Sequence, residues 1–463
     1  MRRPQIVIAS TAVLIAAAAG IAAWAALRTR EQPEWTTHSP AALAEFRLGM
    51  DAYQKYYWQE ASRHFEKAMA LDPYFAMATR MLMRTDVGKQ RSAELRQRLA
   101  AADRSRLSPR EAFLVEYTLA QSAEAPREKL DKIVADYLRR HPDDPYALAQ
   151  QADLYWEARR WNEAEATFQK LLAVDPNWVD AQNKMGYASM AQGRFAESED
   201  RFRTYRYVAP DQANPHDSLG ELFVLTGRFD EAQHELDTAL RIRPDFCQSY
   251  LNLLEIARLS GHPERMPSIV DTAQKNHCSA EMVANTRCFT RLWDLYLARD
   301  WKRLAAVFHD PCIQERNVAP ILPHLAAVLD GNLALAREME AFEAKRESRY
   351  MTLGNPVVPH TAAIREVAEG DLASALRDFA KTDAELQYRG LGDGSFKMYN
   401  RLQWAHALEL SGDHAGAERL VREVAAVNTA MAGRYAGLAA PRPPAANTAA
   451  RTAASAAANS KAG

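Results

Sequence analysis

A spacing of 34 residues runs through the middle of this 463-residue chain and constrains its fold more than any other feature. Four prolines mark it: Pro142, Pro176, Pro210 and Pro244. Three glycines keep the same spacing in another phase, at Gly193, Gly227 and Gly261. Several residue types that repeat together indicate stacked copies of a short unit, each of which buries its apolar face only against its neighbours.

Each unit has the pattern of two amphipathic helices. The stretch from Leu219 to Pro244 places one helix on either side of Gly227, and helix-forming Ala, Leu, Glu, Arg and Gln dominate the chain as a whole. A hydrophobic fraction of 48% supplies ample material for a core. We therefore predict an all-α fold of helix-turn-helix pairs.

The repeated columns resemble the tetratricopeptide repeat (TPR) family. The unit that ends at Pro244 matches the family pattern at Leu219, Gly220, Phe223, Ala232, Leu236 and Ala239. The best copies cover 42–75 and 143–245 within an array over 40–245. Divergent hairpins follow over 246–436, with turns expected around Gly261, Arg299–Asp300, Gly331, Gly370 and Gly412. The resemblance implies a right-handed α-solenoid of roughly ten to twelve hairpins.

Part of the chain also resembles the TPR portions of bacterial winged-helix regulators and kinases. This resemblance depends on two stretches, "ALDPYFAMATRMLM" and "LSPREAFLVEYTLA". The second contains a helix-capping pattern at Ser108–Glu111. Only five residues precede the apolar N-terminal segment, so we expect neither a DNA-binding domain nor a kinase.

The segment from Ile6 to Leu27 carries no charged side chain over 22 residues. At about 1.5 Å per residue it is long enough to cross a bilayer, and we predict that it is a single-pass inner-membrane helix. Residues 1–5 would then be cytoplasmic, residues 28–39 would form a linker, and the helical array would be periplasmic. A cleavable signal peptide is the alternative, because "AWA" at Ala23–Ala25 fits a cleavage site. The Ala/Pro-rich end, 437–463, is predicted to be disordered.

All four cysteines lie in the divergent region: Cys247, Cys278, Cys288 and Cys312. Hairpins that turn near 261–263 and 299–301 would place Cys247 opposite Cys278 and Cys288 opposite Cys312. We therefore predict these two disulfides, which suit an oxidising compartment. Four buried free thiols are the alternative, and a zinc site lacks the usual ligand spacing.

Common motifs of metal, nucleotide and hydrolase sites do not occur in the sequence, so we expect no catalytic activity and no cofactor or metal. The Gly-rich stretch "RGLGDGSFK", 389–397, follows a predicted helix instead of a strand, which favours a loop or connector over phosphate binding. The carboxylates of "HPDDP", 141–145, suit helix capping better than calcium binding. A net charge of -1 argues against binding to nucleic acid.

The TPR resemblance implies a concave surface lined by the first helix of each hairpin. Mapped onto this chain, the family positions give a predicted groove of nine residues: Tyr146, Gln150, Asp153, Trp156, Asn183, Tyr187, Asn214, Asp217 and Glu221. Aromatic, amide and carboxylate groups together suit an extended or helical protein segment that carries Lys or Arg. Solvated helix faces with no partner are the alternative.

These expectations favour a non-catalytic, membrane-tethered scaffold or assembly factor that binds a protein partner. A module that senses a small ligand or peptide outside the cytoplasm is the second hypothesis. The third is an enzyme whose site lies unrecognised within 246–436.

Overall fold

The computed structural model describes residues 34–85, 88–315, 318–346, 355–433 and 441–443, and every regular element within these ranges is a helix. The chain divides into two compact units, Met1–Pro142 and Asp143–Gly463. The predicted anchor at 6–27 lies outside the described residues, as does the predicted tail apart from 441–443. Among the described helices, none has the length and apolar character needed to cross a membrane.

The first unit contains three helical hairpins in its described part. Its helices are α1 (Pro40–Gln54), α2 (Trp58–Leu71), α3 (Ala76–Met83), α4 (Gly88–Ala100), α5 (Pro109–Ser122) and α6 (Arg127–Leu138), with a 3-10 turn at Arg104–Arg106. The Ser108 hydroxyl accepts a hydrogen bond from the Glu111 backbone N–H, and the Glu111 carboxylate accepts one from the Ser108 N–H. This reciprocal pair is the helix-capping box that the sequence predicts at the start of α5.

The second unit contains eight hairpins, and apart from the short helix Pro311–Gln314 its helices pack against their neighbours in chain order, with Trp301–Ala306 packing directly on Ile321–Leu329. Its first eight helices are α7 (Pro145–Glu157), α8 (Trp161–Val174), α9 (Asp180–Ala191), α10 (Phe195–Val208), α11 (Ala213–Leu225), α12 (Phe229–Ile242), α13 (Cys247–Ser260) and α14 (Met266–Lys275). The remaining ones are α15 (Ala280–Leu297), α16 (Trp301–Ala306), α17 (Pro311–Gln314), α18 (Ile321–Leu329), α19 (Leu333–Lys345), α20 (Val357–Glu369), α21 (Leu372–Glu385), α22 (Leu391–Ser411), α23 (His414–Val427) and α24 (Thr429–Gly433). Short 3-10 turns occur at Pro263–Arg265 and Val307–His309.

Close approach of the two helices within a hairpin depends on glycine. A Cβ added to Gly220 on α11 would lie 2.8 Å from Cγ of Leu236 on α12, and one added to Gly49 on α1 would lie 2.6 Å from the Phe65 ring on α2. The two residues of each pair are 16 positions apart, as the repeat requires. The same contact of a small residue with a large one therefore occurs inside two separate hairpins, at equivalent positions.

Within the second unit, the turn inside each hairpin contains one residue with a left-handed backbone conformation. Gly193 and Gly227 have φ values of 74° and 75°, a region that L side chains enter only at a cost. In the divergent part, positive φ occurs at the turn positions that the sequence predicts, namely Gly261, Arg299, Gly331, Gly370 and Gly412. The predicted helix pairs after residue 246 are therefore present.

The last hairpin of the second unit packs against the third hairpin of the same unit. Residues 385–433, which we call the closing hairpin, include α22, α23 and α24, and they contact α11 as well as the preceding α21. Their side chains enter the same apolar core as Leu222 and Leu225 of α11. The closing hairpin contributes the following buried side chains to that core: Tyr388, Leu391, Met398, Leu402, Val424 and Met431.

Candidate functional site

The nine predicted groove residues lie on the first helices of three consecutive hairpins. Helix α7 carries Tyr146, Gln150, Asp153 and Trp156, helix α9 carries Asn183 and Tyr187, and helix α11 carries Asn214, Asp217 and Glu221. The structure therefore brings them into one series of neighbouring helices within the second unit. Their exposure falls from α7 to α11.

The α7 end of the series is partly open to solvent. Tyr146 packs edge-to-face on Trp178 with ring centroids 5.1 Å apart, and Trp156 does the same on Trp161 at 5.0 Å. Between these aromatic pairs, Asp153 accepts a hydrogen bond from Nζ of Lys184 at 2.5 Å. Tyr146, Asp153 and Trp156 are half-buried. This end presents two aromatic surfaces on either side of a carboxylate.

The α11 end forms a buried polar cluster. The Asp217 carboxylate accepts hydrogen bonds from the Ser249 hydroxyl at 2.7 Å and from Nδ2 of Asn252 at 3.1 Å. The Glu221 carboxylate accepts one from the Tyr187 hydroxyl at 2.6 Å. All five side chains are wholly or largely enclosed, and every partner comes from an adjacent first helix.

Burial of this cluster corrects the expectation of an open groove. Asp217 is 2% exposed and Glu221 8%, and Gln150, Asn183 and Asn214 are buried as well. The cause at Glu221 is the chain itself, because the first residue of α22, Leu391, covers it and donates its backbone N–H to Oε1 at 2.6 Å. Five of the nine predicted positions are thus closed to solvent in this structure.

Enclosure changes the acidity of the cluster. Burial raises the pKa of Asp217 to about 7, with the neighbouring Glu221 charge adding to the rise and the hydrogen bonds from Ser249 and Asn252 opposing it. Burial also raises the pKa of Glu221, against the hydrogen bonds from Tyr187 and Leu391. Two carboxyl groups therefore share one buried site, where a second negative charge is disfavoured.

Three successive hairpins contact the closing hairpin. Arg159, in the turn after α7, donates from its guanidinium to the carbonyl of Glu385 at 2.9 Å. Phe195, at the start of α10, packs edge-to-face on Tyr388 with centroids 5.2 Å apart. In the third hairpin, Glu221 of α11 accepts a hydrogen bond from the backbone N–H of Leu391. We call the contact between α11 and the closing hairpin the seam.

The seam continues at the C-terminal end of α11. Asn428, between α23 and α24, donates from Nδ2 to the carbonyls of Val224 and Leu225 at 3.3 and 3.1 Å. These carbonyls belong to the last turn of α11, and that of Val224 also accepts the backbone N–H of Gly227 at 3.1 Å. A Cβ added to Gly227 would lie 2.8 Å from Oδ1 of Asn428. The tight turn at Gly227 therefore leaves room for a residue of the closing hairpin.

The Gly-rich stretch 389–397 is a helix start, so the prediction of a loop or disordered connector is wrong. Helix α22 begins at Leu391, directly after Gly390. A Cβ on Gly394 would lie 2.5 Å from Cδ1 of Leu225, whereas a Cβ on Gly392 would meet no atom within 4 Å. Gly394 thus allows α22 to approach α11, and this contact joins residues about 170 positions apart, with no periodic signal to reveal it.

Both predicted cysteine pairs are joined by disulfides in the structure. Cys247 at the start of α13 is bonded to Cys278 after α14, with Cα atoms 5.6 Å apart, and Cys288 of α15 is bonded to Cys312 of α17, with Cα atoms 5.7 Å apart. The first bond closes one hairpin. The second bond holds α17 beside α15 where the second helix of the hairpin, α16, is only six residues long.

Within the described ranges, His, Cys, Asp and Glu side chains form no group of three or more that could hold a metal ion. The buried His360 serves a structural role. Its Nδ1 donates to Oδ1 of Asn400 at 2.8 Å, while Asn400 donates to the carbonyl of Phe379 at 3.0 Å. Burial lowers the pKa of His360 to about 4, so the imidazole is neutral and joins α20, α21 and α22.

No protein-family model matches the chain, and no curated protein matches its sequence. It is similar to a chain of the solved APC/C hetero-tetramer Cut9-Hcn1, with a TM-score of 0.44 and 14% identity over 85% of this chain and 75% of that one. For the type IV pilus biogenesis factor PilW the TM-score is 0.33, with 18% identity over 53% of this chain and 97% of that one. For a TPR protein from Parabacteroides merdae ATCC 43184 the TM-score is 0.35, with 13% identity over 65% and 98%.

Proposed function

We propose that the protein is a non-catalytic scaffold that binds a protein segment at the α7 end of the predicted groove while an N-terminal helix tethers it to the inner membrane. The supporting observation is the half-buried set of Tyr146, Asp153 and Trp156, in which two aromatic pairs stand beside a carboxylate. Aromatic side chains held by edge-to-face packing present large contact area at a small entropic cost.

The chemistry at this end selects a class of partner. Asp153 offers a carboxylate that is already engaged by Lys184, and Glu157 lies exposed one turn farther along α7. A Lys or Arg of the partner can share or replace the Lys184 contact, and apolar side chains can pack on Tyr146 and Trp156. The favoured partner is therefore an extended or helical protein segment with basic and apolar residues.

Two features support a periplasmic, membrane-tethered location. The Ile6–Leu27 segment has the length and apolar character of a membrane-spanning helix. The two disulfides favour a compartment that is oxidising. Tethering raises the local concentration of the groove near membrane partners, which strengthens apparent binding without a new contact.

The test compares partner capture by membrane-embedded full-length protein with and without the aromatic pair. Cross-linking followed by quantitative mass spectrometry identifies the proteins captured by wild type. We expect Tyr146→Ala combined with Trp156→Ala to reduce capture of a specific partner by about tenfold or more, since aromatic anchors at the centre of an interface contribute at least about 2 kcal/mol.

The matched control is Tyr207→Ala on the second helix α10, where Tyr207 is 85% exposed. This variant also loses an aromatic ring but should capture as much partner as wild type. Thermal unfolding checks that each variant remains folded. Equal capture by wild type and the double variant would refute the location of the groove, and the absence of any specific partner would refute the scaffold.

A further inference from the structure

The two sides of the closing hairpin are held by contacts of different strength. On the α21 side, Lys397 forms an ion pair with Asp383 and donates to the backbone carbonyl of Asp383 at 2.6 Å. Arg401 binds the same Asp383 carboxylate with two hydrogen bonds. Bidentate, partly buried charge pairs of this kind are among the stronger polar contacts in proteins. This side fastens α22 to the solenoid.

The seam has no ion pair of this kind among the described residues. Its polar contacts are the hydrogen bond from the Leu391 N–H to Glu221 and the two bonds from Asn428 to carbonyls of α11. The buried Tyr388 hydroxyl has no hydrogen-bond partner within the described chain. The seam therefore lacks the charge pairs that hold the α21 side, and we expect the closing hairpin to separate from α11 first.

The α11 face contacts the first turn of α22 through features that the N-terminal turns of other helices share. Glu221 accepts a backbone N–H from the first residue of α22, and a carboxylate at this position both satisfies a free donor and interacts favourably with the helix dipole. One turn later, Gly394 lets the helix approach Leu225. Neither contact depends on the other side chains of α22, so another helix with a small residue in its first turn can make the same two contacts.

We infer that the α11 face is a seat for the N-terminal turn of a partner helix, and that the closing hairpin occupies this seat until the partner replaces it. The inference rests on the proposed function and specifies its regulation. A partner that first engages the aromatic pairs of α7 lies beside the seat, because α7, α9 and α11 are consecutive first helices of the unit. Opening the seam would extend the binding surface from α7 to Glu221.

The experiment loosens the seam without altering the seat. Gly394→Ala places a methyl group against Leu225 while raising the helix propensity of α22. Gly392→Ala is the matched control, since it lies in the same helical turn and its added methyl group meets no neighbouring atom. Amide hydrogen exchange over 386–395 in the full-length protein measures opening. We expect exchange to rise by about tenfold or more in Gly394→Ala and to stay at the wild-type rate in Gly392→Ala.

A fluorescein-labelled peptide of residues 389–411 tests the seat independently of any natural partner. We expect the full-length Gly394→Ala protein to bind it about tenfold or more tightly than wild type and Gly392→Ala do. Adding Glu221→Ala to Gly394→Ala should remove that gain. Equal peptide affinity in all proteins, with faster exchange in Gly394→Ala, would overturn the seat.

Experiments with the natural partner can distinguish failure of this inference from failure of the proposed function. The peptide should displace a partner whose capture depends on Tyr146 and Trp156, and Gly394→Ala should capture more of it than Gly392→Ala. A partner that depends on the aromatic pair yet ignores both the peptide and Gly394→Ala would overturn the inference and leave the proposed function intact. Loss of the aromatic dependence itself would refute the proposed function.

Discussion

Gly193 and Gly227 are equivalent turn residues that differ in one neighbour, and their replacement isolates the seam. Both have φ near 75°, and they lie 34 positions apart in successive hairpins. A Cβ on Gly193 would meet no atom within 4 Å. A Cβ on Gly227 would lie 2.8 Å from Oδ1 and 3.1 Å from Cγ of Asn428. Changing each glycine to alanine therefore imposes the same backbone strain, while only Gly227→Ala displaces the closing hairpin.

The magnitude follows from these contacts. An L residue in the left-handed region costs about 1 kcal/mol, and this cost is common to both variants. Displacing Asn428 also breaks its hydrogen bonds to the carbonyls of Val224 and Leu225, each with a net contribution of about 1 kcal/mol. The closing hairpin should therefore open about 2 kcal/mol more easily in Gly227→Ala than in Gly193→Ala, which corresponds to about a 30-fold difference in opening.

Native-state hydrogen exchange of peptides covering 391–398 and 428–433 measures this opening. We expect Gly193→Ala to exchange there as wild type does and Gly227→Ala to exchange about 30-fold faster. Exchange within α7 and α8, which lie away from Gly227, should be the same in the two variants. Equal exchange of the closing hairpin in both variants would refute the assignment of Asn428 as a fastening residue.

The remaining predictions concern the disulfides, the buried acid and helix packing. Replacing Cys247 and Cys278 by alanine should lower the free energy of unfolding by about 3.5 kcal/mol in urea, because the bond spans 31 residues; a loss below about 1 kcal/mol would contradict this. Because the pKa of Asp217 is raised, the folded state binds more protons than the unfolded state between about pH 4 and 7, and the free energy of unfolding should fall as pH rises through this window. Asp217→Asn should flatten this pH dependence of the free energy of unfolding. An unchanged pH dependence in the variant would refute the account. Gly186→Ala places a methyl group against the Phe202 ring and should lower the free energy of unfolding in urea by about 1–3 kcal/mol. Adding Phe202→Leu should restore part of this stability. No restored stability would exclude this contact as the cause.

The repeat predicts local structure because it records contacts made within a hairpin or between neighbours. The 34-residue spacing locates the left-handed turns at Gly193 and Gly227, and mirror positions about later turns give the cysteine pairs that the structure joins. Each of these features depends on residues fewer than about 35 positions apart. A short repeat contains the information that fixes such contacts.

The seam depends on information that the repeat does not contain. The bond between Glu221 and Leu391 joins positions 170 residues apart, and the divergent hairpins between them have unequal lengths that remove any common register. Gly394 indicates close approach but not its partner, and as part of a Gly-rich stretch it suggested a loop instead of a helix start. For the same reason the sequence predicts Asp217 and Glu221 as groove residues without revealing that the chain covers them.

The most direct test of the account is the hydrogen exchange of the Leu391 amide in the full-length protein under oxidising conditions. The structure predicts that this first amide of α22 is strongly protected by the Glu221 carboxylate, although amides at helix starts ordinarily lack an intrahelical partner. Glu221→Ala should accelerate its exchange by about tenfold or more while leaving amides in the middle of α21 unchanged. Exchange of the Leu391 amide at the rate of an unprotected peptide, or equal rates in wild type and Glu221→Ala, would contradict the closed seam.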